Sequence, residues 1–232
     1  MTDGSEGQIG KAGEAIPRPR IQTLSDLIFG LALSIGAISL IGGRPASLTD
    51  LVNSLLGFGW AFLILALVWV RYTRIMSVLP VETGSMVGVN LFLLFLVSIE
   101  PYLYNLISNS YSLPGASLGS GTTTSVYAAD MGAILLVMAY FLGELTKEDR
   151  KLLSAGLLRS YRLMARSTVV AAGLFFVSIL PVFWSTSILG LQTRFILWMG
   201  TFFAMLVRRG VERRTGSQVP GQAVAETAPS RP

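Results

Sequence analysis

From Leu27 to Ile41 the chain carries no charged side chain, and this run follows directly on a polar stretch, Arg20-Ile21-Gln22-Thr23-Leu24-Ser25-Asp26. Only small residues and the serines at 34 and 39 interrupt the apolar run. A helix packed in a water-soluble core has no use for such a prologue. A helix lining a membrane pathway does, because its inner end meets water and ions while its body crosses hydrocarbon.

Composition supports a membrane setting. Hydrophobic residues make up 52% of the chain and charged residues 13%, against about 25% charged in soluble domains. The chain reads as an all-α integral membrane protein. Cysteine and histidine are both absent. Disulfides, Cys/His zinc sites, Cys or His nucleophiles and His general bases are therefore excluded. No nucleophile–base pair, paired carboxylates or metal cluster is evident, so the sequence reads as no enzyme, with no cofactor and no metal. The net charge of +5 could suit nucleic acid, but the charges sit at the ends of apolar runs, as topology signals do. No nucleic-acid partner is expected.

Residues 1–18 read as a disordered cytoplasmic tail, and Met1 to Pro17 contain no apolar stretch of the kind a signal peptide needs. The first apolar segment is thus expected to stay as a membrane helix. A transmembrane domain over 19–207 is expected to hold six spans, at about 21–41, 51–70, 85–107, 126–142, 168–184 and 188–207. Each is near the ~20 residues that cross ~30 Å of hydrocarbon. Thr23 and Asp26 resemble a capping box for the first span. The connection at 144–166 places Leu152, Leu153, Leu157, Leu158 and Tyr161 opposite Arg150, Lys151, Arg159 and Arg162. It reads as a basic amphipathic helix lying on anionic lipid. Residues 208–232 form a second cytoplasmic tail.

Lysines and arginines set the orientation. Lys11, Arg18 and Arg20 precede the first span, Arg71 and Arg74 follow the second, and further clusters follow the fourth and sixth. The opposite side has Arg44 and Arg194. Both termini are expected on the cytoplasmic side of the cell membrane.

Three segments resemble one family. Arg20-x-x-x-Leu24-Ser25-Asp26 is similar to the R-x-x-x-F-S-D signature that opens the first helix of the transmembrane protein 175 family of potassium channels. Trp69-Val70-Arg71-Tyr72-Thr73-Arg74 resembles the end of that family's second helix, and Asn90 through Pro101 resembles its third. The resemblance implies a one-repeat, six-helix subunit of a homotetramer whose first helices line a central pore. It implies a passive channel for potassium or other monovalent cations, without a TVGYG-type filter. The family's constriction positions fall on Leu31, Ile35 and Ile38. Leu24 replaces the motif Phe. Tyr72 and Thr73 stand where the family has histidines, and Glu100 stands where it is apolar.

Leu31, Ile35 and Ile38 share one helical face and cover about 10 Å of axis. Four copies would make a dry constriction that gates by dewetting; otherwise the stripe packs on lipid or protein. Ser34 beside it offers a hydroxyl near a passing ion, or with Gly30 makes a small pair for close helix packing. Ser25 belongs to the motif. Asp26, inside the first turn, is expected to meet a basic partner from Arg20, Arg71 or Arg74, forming an inner polar network. Asn90 is expected to hydrogen-bond between helices. Glu100 and Asp130 either make an outer vestibule negative or, for Glu100, pair structurally with Arg194. A secondary carrier or proton pathway using Glu100 and Asp130, and a non-transporting membrane scaffold, are the alternatives to a channel.

Overall fold

The computed structural model describes residues 19–42, 47–79, 84–112, 120–147, 155–188 and 191–216. Seven helices and one pair of two-residue strands occur among them: α1 Pro19–Gly42, α2 Leu48–Met76, α3 Gly84–Ser112, α4 Ser120–Leu145, α5 Ala155–Val177, α6 Pro181–Ser185, β1 Ser187–Ile188, β2 Leu191–Gln192 and α7 Thr193–Gly216. The chain forms two compact units, divided after Ile179.

In the first unit α4 is central. It packs on α3 and α5, while α1 packs on α3 and α2. Met131, Ile134, Leu135, Met138, Phe141 and Leu142 of α4 are all buried. A Cβ added at Gly132 would lie 3.0 Å from the Phe176 ring, so the missing side chain is what lets α5 approach α4. Close approach at small residues is the chief attraction between helices in lipid, where apolar burial alone gains little.

Among the described residues, Leu48–Met76, Gly84–Ile107 and Gly121–Leu145 are long and apolar enough to cross a membrane, and Gln22–Ile38 is a shorter apolar helix. Helix bounds depart from the expected spans in several places. α1 starts at Pro19, where a fixed φ suits the first helical position. Thr23 and Asp26 therefore lie within the helix and form no capping box. The cap that does form is at α2, where Ser47 Oγ accepts from the Asp50 amide at 3.1 Å.

The second departure is at α5. The expected surface helix and fifth span are joined, because nothing between Arg166 and Thr168 breaks the helix. Ser167 and Thr168 instead turn their hydroxyls back onto the Met164 carbonyl. Leu152, Leu153, Arg150 and Lys151 of the expected amphipathic stretch lie outside the described residues. The third departure is at Pro181, which ends the fifth span early. Leu180 is extended at ψ 139°, as a residue before proline must be, so the helix stops at Val177 and a short α6 follows. Six like spans therefore do not emerge.

In the second unit β1 and β2 pair antiparallel, Ser187 opposite Gln192 and Ile188 opposite Leu191. The Thr193 amide donates to the Thr186 carbonyl at 3.1 Å, which closes the hairpin at the start of α7. α7 continues past the expected end at Val207 to Gly216. Residues 1–18 and 217–232 of the expected tails lie outside the described residues.

Candidate functional site

Beyond Asp26, α1 is apolar apart from its serines, yet its two faces differ sharply. Ser25, Phe29 and Ala32 are buried against the rest of the unit. Their spacing of four and three makes one face. Leu31, Ile35 and Ile38 lie on another face and are 56%, 42% and 62% exposed. Leu27 extends that outward stripe by one turn toward the start of the helix. Part of the stripe borders an apolar groove of about 270 Å³ between α1 and α3, lined by Ile28, Leu31, Ile35, Leu91, Leu94 and Phe95 among others.

Ser34 is exposed and donates to the Gly30 carbonyl at 2.8 Å. Its proton is thus satisfied within the helix, and its lone pairs remain outward. Nothing lies within 4 Å of where a Gly30 Cβ would stand. Among the described residues of the first unit, the Gly30 surface is bare.

The buried face of α1 ends in a polar ring. Ser25 Oγ and Tyr72 Oη are 2.7 Å apart. Tyr72 Oη donates to Asn90 Oδ1 at 2.8 Å, and Asn90 Nδ2 closes the ring onto Ser25 Oγ at 3.5 Å. A phenol has one proton. Since it goes to Asn90, the proton of the Ser25–Tyr72 bond comes from the serine. Three helices are joined by three side chains, each donating to the next. Phe29 packs beside the ring, its centroid 5.5 Å from that of Tyr72.

Asp26 is on the exposed side of this end. Its Oδ1 accepts from Trp69 Nε1 at 2.9 Å, so the expected basic partner gives way, in this bond, to an indole. Arg71 is buried and Arg74 is exposed in the last turn of α2. There a cation also favours the negative end of the helix dipole. The backbone of Arg20 is in α1, and its side chain lies outside the described residues. Sequence reasoning treated Tyr72 only as a lost histidine and missed both bonds. The available signal was depth: Ser25, Tyr72 and Asn90 all lie near the same end of their helices.

Glu100 and Asp130 are only 1% and 5% exposed. Both lie within the helix packing rather than on its outer surface. Tyr127 Oη donates to Glu100 Oε1 at 3.3 Å. Tyr104 packs edge-on to Tyr127 at 6.2 Å and fits over Gly57 of α2, whose added Cβ would stand 3.1 Å from the Tyr104 hydroxyl. Arg194, the expected structural partner of Glu100, belongs to the second unit. There its Nε and Nη2 donate to Gln192 Oε1 at 2.9 and 2.6 Å.

Three long apolar helices and the shorter α1, with a polar ring buried between α1, α2 and α3, define a membrane-embedded helical protein. Residues 20–101 match the model of a family described as endosomal/lysosomal potassium channel TMEM175. The match spans α1, α2 and α3 as far as Pro101, which is the segment whose motifs carry the resemblance. Among solved structures the chain is similar to a lysosomal potassium-selective channel TMEM175 homolog from Chamaesiphon minutus, with a TM-score of 0.54 and 22% identity over 81% of this chain and 97% of that one. It is also similar to a variant of the potassium channel MtTMEM175 in complex with a nanobody–MBP fusion protein, with a TM-score of 0.54 and 17% identity over 86% and 94% of the two chains. At these identities the likeness establishes a shared fold. No curated protein matches the chain.

Proposed function

We propose that this chain is a subunit of a passive cation channel, permeable to potassium, in which the outward face of α1 lines the pore. It acts as a conduit and not as an enzyme. The observation that carries this reading is the division of α1. Ser25, Phe29 and Ala32 hold one face to the subunit, while Leu31, Ile35 and Ile38 stay exposed on another face. A membrane helix that keeps a stripe of large apolar side chains out of its own fold presents them to lipid or to other copies. The family match over α1–α3 favours other copies.

In a homotetramer, four such stripes converge on one axis. Leu31, Ile35 and Ile38 then form successive apolar levels over about 10 Å, with no charge to hold water between them. Such a constriction gates by dewetting. Ser34 turns its hydroxyl oxygen toward the same lumen and influences which ions pass. Ser25, Asp26, Arg71 and Arg74, with Arg20, hold the inner ends of the helices. Both termini face the cytoplasm, and the basic residues at 144–166 meet anionic lipid of the cell membrane.

Potassium flux from liposomes carrying the purified chain tests the reading, beside Leu31→Ala and Ile35→Ala. Flux that rises in the variants places those side chains at a constriction. Folded protein that passes no potassium, as wild type or variant, removes the channel reading.

A further inference from the structure

The outward face of α1 leaves two carboxylates without a role. Glu100 lies one residue before Pro101 on α3, and Asp130 lies on α4. Tyr127 and Asp130 are three residues apart and so share a helical face. Because the Tyr127 hydroxyl reaches Glu100 Oε1 at 3.3 Å, that face is turned toward α3. The Tyr127 bond thus sets Asp130 on the face of α4 that meets Glu100. Both oxygens of Asp130 are closed to solvent and accept no hydrogen bond. An ionised carboxylate in that condition inside a membrane is expensive, and two like charges side by side are more so.

Among the described residues of the first unit, the helices packed around the pair bring no cation to its level. On α3 the titratable neighbour is Tyr104, and on α4 it is Tyr127. α5 meets α4 here through Phe176 against Gly132. It carries no charge from Ser167 to Val177, and Arg166 lies about 15 Å along the helix. α2 meets α3 through Gly57 under Tyr104, with Asp50 about 10 Å and Arg71 about 20 Å along its axis. α1 meets α3 through Gly36 near Pro101, with Asp26 about 15 Å away along its axis. An alkali cation would have to exchange its hydration shell for a full set of oxygens, where this face brings two carboxyls and one phenol. A proton needs no cavity, removes one of the two charges and supplies the donor that Asp130 lacks.

We infer that Glu100 and Asp130 form a proton-binding site inside the chain, a carboxyl pair that holds one proton and, with Tyr127, ties α3 to α4. The pair binds its proton in place, with no transit along a pathway, and the inference stands independently of the channel reading. A proton on either carboxyl leaves a single charge on the pair. Glu100 keeps the Tyr127 bond in either arrangement. Two acids sharing one proton is the established solution for like carboxyls held close together.

The test uses the full chain in lipid nanodiscs, from about pH 4 to about pH 9, either side of the ordinary carboxyl range. Infrared spectra should show a protonated-carboxyl band at neutral pH in the wild type. The band should vanish in the double variant E100Q/D130N and shift in Y127F, which removes one hydrogen bond. Thermal unfolding gives a second readout. The folded pair keeps a proton that unfolded carboxyls release, so stability is full at acid pH. It declines as pH rises beyond the unfolded carboxyl range, by up to about tenfold in the folding constant per pH unit. E100Q/D130N should lose that slope. The inference is overturned by a wild type with no protonated-carboxyl band at neutral pH. It is overturned equally by a band unchanged in both E100Q and D130N, or by an unaltered slope in the double variant. Stability that instead rises with potassium concentration, with the band absent, would assign the site to an alkali cation. The wild-type spectrum requires no variant to fold.

Discussion

Trp69 Nε1 donates to Asp26 Oδ1 at 2.9 Å, so the indole of the second helix answers the carboxylate at the start of the first. An indole suits this position because its ring is apolar and its single N–H is polar. It satisfies an acceptor at a helix end without bringing a charge into the interface.

A double-mutant cycle isolates this bond. Trp69→Phe keeps an aromatic ring and removes the donor, and Asp26→Ala removes the acceptor. Because Asp26 is exposed, the coupling should be modest, about 0.5 kcal/mol and below 1.5. Unfolding of the four proteins in detergent measures it. Strictly additive effects would show that the contact does not hold α1 to α2.

Tyr72→Phe removes the hydroxyl that accepts from Ser25 and donates to Asn90 Oδ1 at the centre of the buried ring. The cost should be about 1–3 kcal/mol, the range for stranding buried polar groups. Ser25→Ala made in the Tyr72→Phe background should then cost less than it does alone. Thermal unfolding of the single and double variants checks both statements.

The ring also shows what the sequence could and could not reveal. The motif around Ser25 and Asp26 marked the start of α1, and Asn90 was legible as a residue that bonds between helices. What joined them was hidden, because Tyr72 reads only as the replacement of a histidine until three helices are brought to one depth. The faces of α1 were hidden for a related reason. A helix apolar all round has no polar side to mark its orientation, and spacing alone could group Leu31, Ile35 and Ile38 without saying which way they turn. The fifth span was drawn on its apolar run through Trp184, and the stop before Pro181 was passed over. The partnership of Tyr104 with Gly57 and of Phe176 with Gly132 depends on helix approach, which no linear pattern encodes.

Two glycines should respond oppositely to a methyl group. Gly132→Ala drives a Cβ to 3.0 Å from the Phe176 ring. It should cost about 1–3 kcal/mol by overpacking and loosen α5 from α4. Gly30→Ala meets nothing within 4 Å, and alanine is the better helix former by about 1 kcal/mol. The isolated subunit should therefore be as stable as wild type or slightly more so. Thermal unfolding of the dispersed subunit separates the two. If Gly30→Ala weakens only the assembled form, by native electrophoresis or light scattering, then its bare surface is where another copy packs.

Phe29→Ala and Leu31→Ala test the division of α1 directly, since the two residues are neighbours with opposite surroundings. Phe29 is 1% exposed and stacks beside Tyr72. Its truncation opens a cavity next to the polar ring and should cost about 3 kcal/mol or more. Leu31 is 56% exposed, so its truncation leaves no cavity within the subunit and should barely move the unfolding midpoint. Its effect should fall on ion passage, through a wider and wetter constriction. A loss of stability in Leu31→Ala as large as that in Phe29→Ala would mean that the stripe is held by packing. It would then be no free pore wall, and the constriction would have to be sought elsewhere on the chain.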